Sequence, residues 1–237
     1  MPGTDPYVYI ILIAAAIWSY ATGKLTLAGS LTGAFIGYIL FKGGGLPSFV
    51  MLTFFFTAGS AATKWQRGKK ALMNAEDNHK GRRTAKQVLA NGGVAALLAV
   101  LAGLLPEYSS LAKLMIAGSF AAATADTLSS ELGTVYGRRF YNIITLKKDT
   151  RGLDGVVSLE GTLIGTLGAA AIAAIYSIGF GWNERFLIII IGGFTGNVVD
   201  SVLGAWLERK GLIGNNVVNF LNTLTGAIIC IALNNVL

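Results

Sequence analysis

The sequence predicts an all-α, polytopic membrane helical bundle of about eight transmembrane helices, in a single integral membrane domain, 1–237. Three observations carry that reading. Of the 237 residues, 53% are hydrophobic and only 13% are charged, against about 25% charged in a soluble domain. The mean hydropathy is +0.60. The apolar residues also fall into eight stretches, about 7–22, 25–41, 46–63, 88–105, 111–133, 157–180, 185–207 and 214–236, each approaching the ~20 residues needed to cross a hydrocarbon core.

The first two stretches are short, which predicts tilt, local thinning or a broken helix there. MPGTDPY lacks a basic leader and no A-x-A site follows, so the first stretch is expected to stay as a span. Gly43–Gly45 and Pro47 make a turn before the third stretch, which ends with Ser60, Thr63, Lys64 and Arg67 on one side. The basic loop 64–87 leads into the fourth, opening with Arg83, Thr84, Gln87 and Asn91. Pro106 and Glu107 mark the next turn. The fifth stretch carries Asp126, Ser129, Ser130 and Gly133 at helical spacing. Glu131, five residues from Asp126, points elsewhere unless the helix breaks near Gly133. A second basic loop, 134–156, precedes the sixth stretch, and Trp182 anchors its far end. The seventh places Asn197, Asp200, Ser201, Gly204 and Glu208 in one stripe. The eighth opens with Asn215, Asn216, Asn219, Asn222, Thr223 and Gly226.

Charge sets the expected topology. Every Lys and Arg except Lys42, Lys113 and Arg185 lies in the loops on one face. The positive-inside rule assigns that face to the cytoplasm and both termini to the outside of a multi-pass cell-membrane protein. Topology and attraction to anionic membrane lipid account for the net charge of +7, so basicity is no sign of nucleic-acid binding. All the polar stripes end on that same face, where soluble nucleotides are available.

Asp126 and Asp200 are the residues most in need of a function. A carboxylate in a bilayer-length segment costs about 2.5 kcal/mol or more, and intramembrane acids mark functional sites. With Glu131 or Glu208 they form a candidate Mg²⁺ site, since Mg²⁺ takes a few carboxylates and leaves positions for water and phosphate oxygens. Lys64, Arg82 and Arg83 flank the polar helix ends as candidate phosphate contacts. Lys69, Lys70, Lys80 and Lys86 read as topology-setting charges. Ser158, at the start of the sixth helix in DTRGLDGVVSLEGTLIG (149–165), is either a helix cap or part of an anion site. Asn197, Asn219 and Asn222 are candidates for positioning substrate or nucleotide.

A weak internal repeat aligns TLAGSLTG (26–33) with SLEGTLIG (158–165), and Asp126-Thr127 with Asp200-Ser201. Its glycines also fit close helix packing. The chain has one cysteine and one histidine, which excludes a Cys/His metal site. It has no P-loop and no kinase glycine-rich set. His79 reads as a solvated loop residue, which disfavours a Ser-His-Asp hydrolase.

The segments GKLTLAGSLTGAFIG (23–37), GSAATKWQRGKK (59–70), GRRTAKQVLANGG (81–93), ATADTLSSELG (123–133), GVVSLEGTLIG (155–165), GNVVDSVLGAWLE (196–208) and NNVVNFLNTLTGA (215–227) together resemble the integral-membrane phytyl-phosphate kinase family. That family has plant chloroplast members and prokaryotic members of unknown role. The resemblance runs from about residue 20 to 228. It implies phosphoryl transfer from a nucleoside triphosphate, CTP above ATP, to an isoprenoid monophosphate of phytyl, geranylgeranyl or farnesyl type. DSVLGA (200–205) more faintly resembles the CTP-dependent polyprenol and dolichol kinases. Under this reading Asp126, Asp200 and Lys64 are catalytic, with Mg²⁺ on the two aspartates. The rival readings are a transporter of a phosphorylated metabolite or cation, and a lipid-phosphate cytidylyltransferase.

Overall fold

The computed structural model describes residues 5–66 and 81–236. Arg67, Lys69, Lys70, His79 and Lys80, singled out above, lie outside the described residues. Among those described there are eight α-helices: α1 Asp5–Ala21, α2 Leu27–Ile39, α3 Gly45–Lys64, α4 Ala85–Leu104, α5 Ser109–Tyr136, α6 Leu159–Phe180, α7 Arg185–Leu203 and α8 Asn215–Asn234. One short hairpin pairs Tyr141–Asn142 with Val156–Val157 in antiparallel register. The architecture is therefore an all-α bundle.

Among the described residues five stretches are long and apolar enough to cross a membrane: Leu27–Lys64, Ala85–Leu104, Leu159–Phe180, Arg185–Glu208 and Asn215–Asn234; Pro6–Ala21 is a shorter apolar helix. The first of these holds two helices. Gly37 of α2 lies against Phe49 and Leu52 of α3, so the chain reverses through the π-turn Leu40–Gly44, where the Gly43–Gly45 turn is expected. Ser109–Tyr136 is long but not among the five. It is the central helix, packed against α3, α4, α6, α7 and α8. A helix walled by protein need not be apolar all round, and α5 uses that freedom to carry Asp126, Ser129, Ser130 and Glu131.

Small residues make this centre possible. From Ile116 to Ala125 every residue of α5 is buried, and this run includes Gly118 and five alanines. The α5 backbone meets that of α8 at Gly118 and Gly226: a Cβ on Gly226 would stand 2.4 Å from the Gly118 carbonyl oxygen. Close backbone approach of this kind supplies the dispersion contacts that hold helices together where no hydrophobic effect separates them from lipid.

The aligned segments at 26–33 and 158–165 have a common local cause. Thr26 and Ser158 are N-caps, accepting from Gly29 N–H at 3.0 Å and Gly161 N–H at 3.1 Å. The two glycines lie against the carbonyl oxygens of Arg83 and Ser129 respectively. Each segment is thus a capped helix start pressed onto a neighbouring backbone.

Candidate active site

The C-terminal half of α5 runs unbroken past Gly133 to Tyr136. No helix break brings Glu131 alongside Asp126; from the intact helix Glu131 stands within electrostatic reach of both Arg83 and Asp126. Asp126 faces α7, where its carboxyl group meets that of Asp200 at hydrogen-bonding range. One turn along, Ser129 Oγ donates to Asn197 Oδ1 at 3.0 Å, fixing the register of the two helices beside the acids.

Helix α7 ends in the π-turn Gly204–Glu208, closed by Arg209 N–H donating to the Gly204 carbonyl. An α-helix would set Glu208 about 80° round the axis from Asp200, and the additional residue of a π-turn takes back about 100°. Glu208 therefore returns to the face of Asp200 and acts on it electrostatically.

These groups line one cleft of about 280 Å³, at the end of the bundle where the basic loops lie. Of the candidate residues, Arg83, Asp126, Glu131, Ser158, Asn197, Asp200, Glu208 and Asn219 line it. Asn222 lies behind the lining, fully buried, with its amide facing Asp200. Asn219 is held by Asn215 at 3.1 Å. Ser158 reaches the cleft with its hydroxyl already engaged in capping α6. Lys64 is exposed and lies outside the lining. Arg82 is outside it as well, stacked 5.3 Å from the Tyr20 ring.

Arg83 is placed by backbone. Its N–H donates to the Lys24 carbonyl at 2.9 Å, and its carbonyl accepts from Thr26 N–H at 3.0 Å. Its guanidinium reaches Thr63 Oγ1 at 3.4 Å. Burial pulls its pKa below the usual arginine range, and the Glu131 carboxylate opposes that shift. Arginine nevertheless remains charged at neutral pH.

Hydropathy and helical period do not reveal the roof. Loop 137–158 folds over the cleft and contributes Asp154 to its lining. Asn142 Oδ1 accepts from the N–H groups of Ile144 and Thr145, both at 3.0 Å. Arg151 donates to the Gly137 carbonyl at 3.1 Å and covers the Phe140 ring at 4.5 Å. Gly155, at φ 69°, lets the loop backbone press onto Ser201 and Ala205 of the α7 end. Arg209 clasps the roof down, pairing with Asp149 at 2.8 Å and donating to the Asp154 carbonyl. The only sequence signals were the Gly/Asp pattern of GLDG (152–155) and the basic pair Arg209-Lys210 past the seventh stretch.

The clasp makes a prediction. The Arg209 hydrogen bond holds the Asp149 carboxyl below the usual carboxylate range, so its contribution is present at neutral pH. It is lost as pH falls below about 3.9, the ordinary aspartate value, and the carboxyl protonates. Asp149→Asn should speed amide hydrogen exchange across 140–157 at pH 7 with little effect on α5 amides. Unchanged exchange in the roof would show that the clasp does not hold it.

Among the described residues the lining has five carboxyl groups, Asp126, Glu131, Asp154, Asp200 and Glu208, against the one guanidinium of Arg83. Phosphate alone would be repelled from such a cleft, whereas a hard cation would be attracted. The inner oxygen atoms make the same demand. Asp200 Oδ2 and Asn222 Oδ1 are buried without a hydrogen-bond partner, an arrangement that costs about 1–3 kcal/mol per group when left unfilled. No cluster of three or more acidic, His or Cys groups at metal-binding spacing exists among the described residues. Glu131 and Glu208 flank the aspartate pair without joining it as close ligands. Two carboxylates suit Mg²⁺, which keeps its other positions for water and phosphate oxygen.

Residues 10–227 match the family described as Integral membrane protein DUF92. The chain is 33% identical over 220 residues to Uncharacterized membrane protein MJ0933 of Methanocaldococcus jannaschii, covering 93% of this chain and 90% of the relative. It is 30% identical over 214 residues to Protein VTE6, chloroplastic, of Arabidopsis thaliana, covering 87% of this chain and 64% of that longer protein. To Uncharacterized membrane protein sll0875 of Synechocystis it is 31% identical over 201 residues, covering 84% and 78% respectively. No solved structure matches the chain.

Proposed function

The chain belongs to the DUF92 family of integral membrane proteins, and from that premise we propose that it is a Mg²⁺-dependent phosphotransferase. It converts an isoprenoid monophosphate to the diphosphate with a nucleoside triphosphate, CTP in preference to ATP. The observation that carries the reading is the facing pair Asp126 and Asp200 at the base of a cleft that also holds Arg83. The family resemblance of the seven motif segments supplies the substrate class.

In this reading a phosphate oxygen of the acceptor attacks the γ-phosphorus. A new P–O bond forms as the β–γ bridging bond breaks, and the nucleoside diphosphate leaves. The acceptor monoester has a second pKa near 6 and is already ionised at neutral pH, so no strong base is required. Phosphoryl transfer asks a protein for positioning and charge neutralisation. Asp126 and Asp200 would hold Mg²⁺, which supplies neutralisation of the developing phosphate charge. Arg83 contacts the acceptor phosphate, and Asn197, locked by Ser129, keeps the aspartates in register. Asn219 and the roof residue Asp154 border the space left for nucleotide.

The deciding assay uses purified protein with phytyl, geranylgeranyl and farnesyl monophosphates, CTP or ATP, and Mg²⁺ or EDTA. Diphosphate and CDP should form only with Mg²⁺; release of pyrophosphate would instead mark a cytidylyltransferase. Arg83→Lys keeps the charge but loses the fork that grips a phosphate in two places. It should raise KM for the lipid substrate about tenfold, leaving KM for CTP within twofold; an unchanged lipid KM would remove Arg83 from the acceptor. The acidic lining favours one second reading, a cation transporter, which proteoliposome uptake without nucleotide consumption would support.

A further inference from the structure

A second space, an apolar groove of about 140 Å³, lies beside the polar cleft between α1, α2, α3 and α4. The two share Phe55, Arg83, Gln87 and Asn91 as a common wall. The groove therefore begins at the one guanidinium of the cleft and leads away from it into hydrocarbon surroundings.

Its course can be followed along α2. A Cβ on Gly29 would touch the Arg83 carbonyl at 2.7 Å. One turn on, a Cβ on Gly33 would meet only Leu25 Cδ1, at 3.9 Å. After another turn, a Cβ on Gly37 would strike Leu12 Cδ2 at 2.6 Å, where α1 closes onto α2. The open stretch thus lies between the Arg83 junction and the α1–α2 contact, within about 12 Å of helix axis. The hydroxyls along it are already satisfied. Ser19 Oγ lies 3.0 Å from the Ala16 carbonyl and 3.1 Å from Ser30 Oγ, and Thr53 donates to the Phe49 carbonyl at 2.9 Å. These walls offer an occupant no unsatisfied hydroxyl, which is what a hydrocarbon chain requires.

We infer that this groove holds the first isoprene units of the substrate's tail, with the phosphate turned past Arg83 into the cleft and the rest of the chain among membrane lipid. The inference rests on the phosphotransferase reading. It explains why the cation shared by both spaces is fixed by backbone hydrogen bonds to the α1–α2 connection: the same residues set the head and the start of the tail. A single chain joined to a monophosphate matches one narrow groove meeting one polar cleft, whereas a two-chain phospholipid leaves an acyl chain without a place in it.

Gly33→Leu tests it. The new side chain enters the open stretch without meeting backbone, and Leu is a better helix former than Gly. Gly103→Leu is the control, since its Cβ meets nothing within 4 Å and it lies at the far end of α4. With geranylgeranyl monophosphate, Gly33→Leu should raise KM about tenfold or more. With dimethylallyl monophosphate, whose tail is too short to reach Gly33, it should stay within twofold of wild type. In parallel, a geranylgeranyl monophosphate carrying a diazirine on the tail should label α1–α3 peptides in wild type and Gly103→Leu, and lose that label in Gly33→Leu. Equal KM changes for both substrates, no change for either, or labelling confined to lipid-facing surfaces would overturn the tail assignment while leaving the phosphotransferase reading in place. Competition of the label by phosphatidylglycerol vesicles as strong as by unlabelled substrate would make the groove a general lipid site and overturn it too. Wild-type protein that turns over neither substrate would overturn both readings.

Discussion

Asp200→Asn is expected to lower phosphoryl transfer by roughly 10²–10³-fold or more while leaving the bundle folded. The amide preserves the shape of the side chain, so the α5–α7 contact and the Ser129–Asn197 hydrogen bond should survive. What disappears is one of two carboxylates that face each other in a buried setting. Relief of their mutual repulsion should make the metal-free variant at least as thermostable as wild type. Wild type should also gain Tm with Mg²⁺, because a ligand that binds only the folded state stabilises it by mass action. The variant should lose most of that gain. Wild-type activity in Asp200→Asn would remove the metal role, and a collapsed Tm without Mg²⁺ would show that the aspartate is structural. Asp126→Asn should behave in the same way, since the two carboxyl groups act as one unit.

Gly226→Ala should have a large effect on stability away from the cleft. A methyl there would lie 2.4 Å from the Gly118 carbonyl oxygen and 2.7 Å from Ala122 Cβ. The obstacle is backbone and a short side chain on the central helix, so neither can rotate aside. Overpacking of a tight core costs about 1–3 kcal/mol, and the upper end is expected because both helices must move apart. The measurement is the unfolding midpoint in detergent. Gly103→Ala, in open space, should be neutral or slightly stabilising. Equal stability of the two variants would show that α5 and α8 do not approach so closely.

Much of this protein is legible from sequence because a membrane imposes coarse rules. Apolar stretches marked the helices of the bundle, and periodicity placed Asn197, Asp200 and Ser201 on one face of the seventh stretch. Helix geometry between i and i+3 or i+4 needs no partner, so those stripes could be read before any contact was known. Glu131 and Glu208 show where that reading stops. The break at Gly133 that would have brought Glu131 alongside Asp126 is absent, and the irregular turn occurs in α7 instead, where the roof backbone packs against Ser201 and Ala205. A π-turn has no strong local signature when its cause is a neighbour's backbone. The three basic candidates divide for a similar reason. Lys64, Arg82 and Arg83 are equivalent as charges, but the backbone bonds of Arg83 to Lys24 and Thr26 turn it inward, while Arg82 lies over Tyr20.

The sequence alone determined that the chain is a helical membrane bundle, that its polar residues gather at the end with the basic loops, and that Asp126 and Asp200 are the acids requiring explanation. These follow from hydropathy, charge count and helical period, which are properties of one segment at a time. Only the tertiary structure decided that the two aspartates face each other, that Arg83 alone of its basic neighbours lines the cleft, and that loop 137–158 roofs it. Those outcomes depend on distances between segments far apart in the chain, set by glycine and alanine contacts whose closeness no local pattern encodes.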